Sequence, residues 1–506
     1  MNPPETTPDA SAGPERRPHP RGLATLFFTE MWERFSYYGL RGLLVLFMTG
    51  LVQKGGLGLD DTTAASIYGL YAAAVYLASL PGGWVADRLI GAQRAVWYGG
   101  IIIAAGHFAM ALPNMRTFFL GLALVVAGTG LLKPNISAIV GGLYPEGGAR
   151  RDAGFSIFYM GINLGAFFGP FICGTLGEDY NWHYGFGAAG VGMVLGLIQF
   201  RVTRGRLGEA GLRPGSSKPP GKATLAAFVG GLAVLVLVVG LCLGGAIQIS
   251  PAVLAQYAQK AIITIAGLYF AGVFFFGRLD AVERRRVAVI LVLFVSAALF
   301  WAGFEQAGSF FNLFAERHTI RSIGWLASLT GRSDVVVPAS WFQSLDPVFV
   351  ISLAPVMAWV WIRLGRKNLD PATPVKFGLG LLLLALGFAV MAWASMYVAA
   401  GEKVRPTWLI TIYLIHTLGE LCLSPVGLSS VTKLAPRRFL GQMMGMWFVA
   451  ASLGNLLAGK LAGQFDENAL ARWPALCLPM ILLPVGLGLA LIIFSKPVKN
   501  LMSGAN

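Results

Sequence analysis

Long apolar runs, each closed by a short polar stretch, repeat from one end of the chain to the other. A transmembrane helix needs about 20 mostly apolar residues. Fourteen stretches meet that length, near 24–50, 64–86, 94–112, 117–143, 154–176, 184–200, 223–246, 252–276, 287–314, 341–362, 375–398, 407–431, 439–462 and 473–495. The pattern predicts an all-α polytopic membrane protein. The first 22 residues are polar and proline-rich, and no apolar core with a cleavage site follows at signal-peptide length. They read as a disordered tail.

One run breaks the apolar rule with a period of its own. The first span contains Glu30, Glu33, Arg34, Tyr37, Tyr38 and Arg41. At about 100° per residue these six fall within an arc of about 140°. A polar stripe of that width must face a bundle interior or a water-filled cavity.

Composition removes the soluble alternatives. The chain has 506 residues, 56% hydrophobic and 12% charged, where soluble domains carry roughly 25% charged residues. So few charges cannot clothe a soluble enzyme, a nucleic-acid binder or a disordered scaffold. The net charge of +15 is spread in short runs between spans, not gathered in a folded basic patch, so it implies anionic headgroups and no nucleic acid. Of the 39 Lys and Arg residues, 26 fall on the side of the two termini and 10 toward the other, with Arg34, Arg41 and Lys133 inside spans. That asymmetry predicts both termini in the cytoplasm. Cys173, Cys242, Cys422 and Cys477 all lie in apolar stretches without a C-x-x-C pair. They read as inert packing residues, with no disulfide framework and no metal site.

The polar stretches divide the chain. After a tail at 1–22 come six spans (23–203), a Gly-, Pro- and Lys/Arg-rich cytoplasmic linker (204–222) and an inserted hairpin of two spans (223–276). A basic linker (277–286), six more spans (287–497) and a tail (498–506) follow. A 6+2+6 order predicts two halves related by an axis along the membrane normal, as in major-facilitator carriers. A weak echo supports duplication: Gly83-Trp84-Val85-Ala86-Asp87-Arg88 closes the second span, and Arg363-Leu364-Gly365-Arg366-Lys367 closes the second span of the later half.

A charge at the bilayer centre costs about 2.5–3.5 kcal/mol on insertion scales, so intramembrane ionisable residues are functional candidates. Besides the stripe, Lys133, Glu305 and Glu420 lie near mid-span in the fourth, ninth and twelfth spans. Glu30, Glu33 and Arg34 can satisfy one another within one helix, which is the purely structural reading. Lys133 and Glu305 each need a partner on another helix. A pair of that kind can be broken by a proton or a substrate, and breaking it shifts a conformational equilibrium. His107 and His416 sit in apolar spans and read as packing residues.

Around these residues the chain resembles the proton-dependent oligopeptide transporter family, also called the peptide transporter or PTR2 family. Glu30-x-x-Glu33-Arg34-Phe35-x-Tyr37-Tyr38-Gly39 resembles its first-helix motif. Gly82-Gly83-Trp84-Val85-Ala86-Asp87-Arg88-Leu89-Ile90-Gly91 and Phe155-x-x-Phe158-Tyr159-Met160-x-Ile162-Asn163-Leu164-Gly165-Ala166-Phe167 resemble its two signatures. Lys133-Pro134-Asn135, Phe300-Trp301 with Glu305-Gln306, and Gly419-Glu420-Leu421-x-Leu423-Ser424-Pro425-Val426-Gly427 extend the likeness over about residues 24 to 495.

The resemblance implies a major-facilitator fold with 14 transmembrane helices (6 + 2 inserted + 6) and proton-driven import of di- and tripeptides by alternating access. The expectation that goes with it is a bacterial inner-membrane protein, functional as a monomer and driven by the proton gradient without a cofactor. It further implies that Arg41 and Lys133 meet the peptide carboxylate and Glu420 its amino group. Asn163, Tyr37, Tyr38 and Tyr76 bond the peptide backbone and termini, Trp301 and Trp447 line side-chain pockets, and Ser424 and Asp346 belong to the substrate site. Glu305 opposite Arg41 is then an outer proton gate, Lys133 and Glu420 pair toward the inner side, and Glu30, Glu33 and Arg34 couple proton to peptide.

One position departs from the family pattern. Gln343-Ser344-Leu345-Asp346-Pro347 carries Asp346 where the family commonly has asparagine. An acid there admits three roles: binding the peptide amine, favouring basic peptides, or adding a proton site. Two other functions remain compatible with the scaffold, a carrier of nitrate or a drug-like acid and a non-transporting peptide sensor. A membrane-embedded enzyme would show a nucleophile–base pair or a metal-ligand cluster, and no such spacing is present.

Overall fold

In hydrocarbon every backbone N–H and C=O must be satisfied within its own segment, which leaves the helix as the structure for each apolar run. The computed structural model describes residues 18–145, 148–214, 221–322 and 336–502. The expected tail falls outside this description for residues 1–17, the linker for 215–220, and the C-terminal tail for 503–506, as do residues 323–335.

All fourteen apolar stretches are helical. The first six are α1 (Gly22–Thr49), α2 (Asp61–Val85), α3 (Ala92–Met110), α4 (Met115–Gly142), α5 (Gly148–Thr175) and α6 (Trp182–Thr203). The hairpin is α7 (Lys222–Leu243) and α8 (Pro251–Phe276). The ninth span is broken into α9 (Ala281–Phe304) and α10 (Phe310–His318). Then come α11 (Leu345–Arg366), α12 (Thr373–Ala399), α13 (Thr407–Leu434), α14 (Leu440–Ala462) and α15 (Leu478–Ile493). Twelve of the spans are long and apolar enough to cross a membrane by composition alone. The other two are α1, diluted by its four buried charges, and α3, which carries Gln93, Arg94 and His107. An even number of spans returns the chain to the face where it began, called here the termini face; the opposite one is the far face.

Close helix crossings are made by glycine. A Cβ at Gly165 of α5 would lie 2.2 Å from the Met31 carbonyl oxygen of α1, and one at Gly82 would lie 2.0 Å from the Gly130 oxygen of α4. Small residues at such points let backbones approach and bring the flanking side chains into contact. The α7–α8 hairpin has a simpler role in packing. α8 buries Ala255, Ile262, Ala266, Phe270 and Val273 along one face, against α2 and α14, whereas α7 buries none of its residues. The linker after α6 is not free chain throughout: Gln93 Nε2 donates to the Gly208 and Ala210 oxygens, and Leu207 is buried. Residues Ser495–Leu501, across the boundary between the last span and the expected tail, form a further short helix.

Hydrogen bonds and ion pairs between the first and second sets of six spans gather toward the far face. Arg317 at the end of α10 holds Asp61 at the start of α2 through two bonds of 2.7 and 2.9 Å, and reaches Glu467 at 3.1 Å. Glu178, just beyond α5, accepts from the Ala339 and Ser340 backbone N–H groups at 2.7 and 2.9 Å and from the Ser340 hydroxyl at 2.6 Å. Asn312 Nδ2 donates to the Gly42 oxygen at 2.7 Å. Toward the termini face, Tyr159 and Met160 of α5 are 45% and 51% exposed. The molecule is latched on the far side.

Candidate functional site

The polar stripe of α1 lies in the protein interior. Glu30, Glu33, Arg34, Tyr37 and Arg41 are buried, and Tyr38 is half-buried. Arg34 contacts both neighbouring acids through one atom: its Nε is 3.1 Å from Glu30 Oε1 and also bonds Glu33 Oε2. Its guanidinium stands 5.0 Å from the Tyr37 ring centroid. The self-contained triplet allowed by helical spacing is therefore what forms.

Two turns further along α1, Arg41 reaches across the molecule. Its Nη2 lies 3.0 Å from Glu305 Oε2, its Nε donates to the Tyr68 hydroxyl at 2.9 Å, and its guanidinium is 5.6 Å from the Tyr38 ring. Both charged side chains are buried, so the pair depends on good geometry to offset desolvation, and losing one partner would leave an uncompensated charge. The backbone accommodates it by breaking the ninth span at a tight turn, Glu305–Gly308. Gly308 is required there, since a Cβ would stand 2.0 Å from the Tyr68 hydroxyl and 2.8 Å from Arg41 Nε.

Lys133, on α4, has its ammonium 4.3 Å from the Tyr76 ring centroid, an attraction of about 0.5–2 kcal/mol. Among the described residues it has no acidic partner. Glu420, on α13, has no hydrogen-bond partner for its buried Oε2 among the described residues. The expected Lys133–Glu420 pair is thus not formed. The reason is where the halves are joined: the bonds described above hold them at the far face, while these two residues belong to α4 and α13, one from each half.

Asp346 occupies the first turn of α11, where its Oδ1 accepts from the Thr417 hydroxyl at 2.8 Å. It lines a small cavity of about 20 Å³, room for one water-sized group, together with Arg41, Tyr38, Gln343, Tyr413 and His416. Asn163 donates from Nδ2 to the Tyr159 oxygen at 3.0 Å, and Ser424 is half-buried one turn beyond Glu420. The two tryptophans sit in packed surroundings. Trp301 lies between Phe300 and Phe304, backed on Gly454, and Trp447 is pressed against Gly427 and Phe377. Neither lines the enclosed cavity. His416 bonds the Leu384 oxygen at 3.2 Å and packs on Phe311 and Phe388, a structural role.

Sequence reasoning missed Tyr68, Glu178, Arg317, Asp61, Glu467 and Thr417. The ionisable ones lie at span ends, where a charge is unremarkable, and a tyrosine or threonine within a span carries no anomaly. Tyr68 shares α2 with Tyr76, and the two serve different cations, Arg41 and Lys133.

With this geometry in hand, comparison with known proteins is direct. The model of the POT family, PTR2, matches residues 93–474. The chain is 43% identical over 497 residues to the peptide transporter YePEPT of Yersinia enterocolitica subsp. palearctica, covering 96% of both. It is 37% identical over 491 residues to the di-/tripeptide transporter of Lactococcus lactis subsp. cremoris, again covering 96% of both. Its fold superposes on the crystal structure of a peptide transporter POT in complex with sulfate with a TM-score of 0.87, at 43% identity and 96% coverage of each chain. The helices that carry Arg41, Lys133, Glu305 and Glu420 therefore belong to a transporter scaffold and not to an enzyme, and the chain is a member of the POT family.

Proposed function

We propose that this protein carries di- and tripeptides across the bacterial cytoplasmic membrane in symport with protons, by alternating access, as a monomer with both termini in the cytoplasm. One observation carries the reading: among the described residues Lys133 has no acidic ion-pair partner and Glu420 no basic one, on helices from opposite halves. A zwitterionic peptide supplies both missing partners at once, its carboxylate toward Lys133 and Arg41 and its ammonium toward Glu420. Tyr37, Tyr38, Tyr76, Asn163 and Ser424 offer hydrogen bonds to the peptide backbone, which every short peptide shares. Trp301 and Trp447 shape the surrounding side-chain space.

Glu305 is the proton-sensitive half of the far-face latch. Its carboxylate pairs with Arg41 at 3.0 Å across the two halves. A proton on that carboxyl removes the charge that Arg41 meets, weakens the closed far face, and moves the equilibrium toward the outward-open state. Loss of the proton toward the cytoplasm restores the pair. Glu30, Glu33 and Arg34, beside the peptide site on the same helix, link that cycle to substrate.

The test is uptake of labelled dialanine by purified protein in liposomes, with and without an inward proton gradient and an inside-negative potential. Accumulation above equilibrium that a protonophore abolishes is expected. Uptake that only equilibrates, indifferent to the gradient, would refute the coupling, and no uptake across a peptide panel would refute peptide transport.

A further inference from the structure

We propose that Asp346 makes the cavity beside the peptide site a receptor for a cationic side chain, so that peptides bearing lysine or arginine bind in preference to neutral ones of the same shape. This rests on the peptide-transport reading and names a substrate class within it.

The first support is the balance of buried charge. Three intramembrane cations, Arg34, Arg41 and Lys133, stand against five acids: Arg34 is shared by Glu30 and Glu33, and Arg41 pairs with Glu305. What remains is one cation, Lys133, against two acids, Glu420 and Asp346, neither of which has an ion-pair partner among the described residues. A neutral zwitterionic peptide balances Lys133 and Glu420 and leaves Asp346 over. A peptide with one basic side chain also gives Asp346 a counter-charge and cuts the surplus of two negative charges to one.

The second support is the cavity itself. Gln343 lines it, is 5% exposed, and has neither amide atom hydrogen-bonded among the described residues. A buried amide without partners is costly unless something else meets it. A lysine ammonium brings three donors and no acceptor. Asp346, the Gln343 carbonyl oxygen and the Tyr413 hydroxyl are acceptors on the wall of this one cavity, and Phe311 offers an apolar surface for the stem. Arg41 also lines it, but its charge is engaged by Glu305 and its Nε by Tyr68.

The third support is position. Asp346 is bonded to Thr417, three residues before Glu420 on α13, which sets it about 4.5 Å along the helix axis toward the far face. With the peptide ammonium at Glu420, that offset is within reach of a lysine stem on the first residue.

The experiment measures competition against labelled dialanine uptake in liposomes by lysyl-alanine and by norleucyl-alanine, which has the lysine stem without the charge. The readout is the ratio of their inhibition constants within each protein, so a change in overall rate does not enter. The wild type is expected to favour lysyl-alanine by roughly tenfold, about 1.4 kcal/mol. Asp346→Asn brings the ratio near unity, Asp346→Glu keeps part of it, and Gln343→Leu, which removes another acceptor, lowers it. A ratio near unity in the wild type overturns the inference, whether or not any variant folds. So does a ratio unchanged in Asp346→Asn; an altered pH profile for dialanine in that variant would then make Asp346 a proton site. Absence of dialanine uptake by the wild type would instead sink the transport reading on which the inference stands.

Discussion

Gly308→Ala places one methyl group at the centre of the far-face latch. Non-bonded heavy atoms rest about 3.5–4.0 Å apart. The added carbon would stand 2.0 Å from the Tyr68 hydroxyl oxygen, 2.5 Å from that ring's Cζ and 2.8 Å from Arg41 Nε. Relief requires a displacement of about 1.5 Å, by the turn or by the Tyr68–Arg41 pair. Either movement weakens the 2.9 Å bond between them and the 3.0 Å contact with Glu305. Overpacking of this kind costs about 1–3 kcal/mol. The cost falls on the state in which the two halves meet at the far face, because Gly308 and these two side chains come from opposite halves. An equilibrium between closed and open far faces would therefore move about 5- to 150-fold toward open. Lys54 and Asn468, both exposed and on opposite halves at the far face, take spin labels as cysteines, with the half-buried Cys242 replaced by serine. The distance distribution between them is expected to gain a longer component in Gly308→Ala, and gradient-driven dialanine accumulation to fall. Gly205→Ala, where an added Cβ meets nothing within 4 Å, is the control. A Gly308→Ala distribution indistinguishable from this control, with accumulation intact, would refute the argument that closure depends on that contact.

Two further outcomes follow from the same geometry. Glu305→Gln keeps the shape of the side chain but removes its charge, and leaving a buried arginine uncompensated costs about 3–5 kcal/mol; proton-driven accumulation is expected to disappear while counterflow exchange of peptide persists at a measurable rate, and loss of both together would make Glu305 a binding or structural residue. Gly165→Ala would press a methyl against the Met31 carbonyl oxygen at 2.2 Å and the Phe35 nitrogen at 2.8 Å, backbone atoms that cannot swing aside. A destabilisation of about 1–3 kcal/mol is expected, read as a lower melting temperature of the purified protein in detergent, and an unchanged melting curve would show that α1 and α5 are less tightly apposed.

By itself the sequence determined where the chain crosses the membrane and which residues were out of place there. Both are local matters: hydrocarbon enforces helices on every apolar run of sufficient length, and a buried charge stands out against that background wherever it lies. The stripe of α1 and the triplet of Glu30, Glu33 and Arg34 follow from spacing along one helix and are found as such. Partners on different helices were another matter. Nothing in the spacing tells that Arg41 takes Tyr68 as well as Glu305, that Lys133 rests on Tyr76 in place of an acid, or that Asp346 leans on Thr417. The latch of Glu178, Arg317, Asp61 and Glu467 was silent for a related reason, since charges at span ends break no rule of composition. The unformed Lys133–Glu420 pair adds a further limit: one sequence serves several arrangements of its two halves. Which charges meet is decided by how those halves are tilted, through contacts distant in the chain, and only the tertiary structure fixes that tilt.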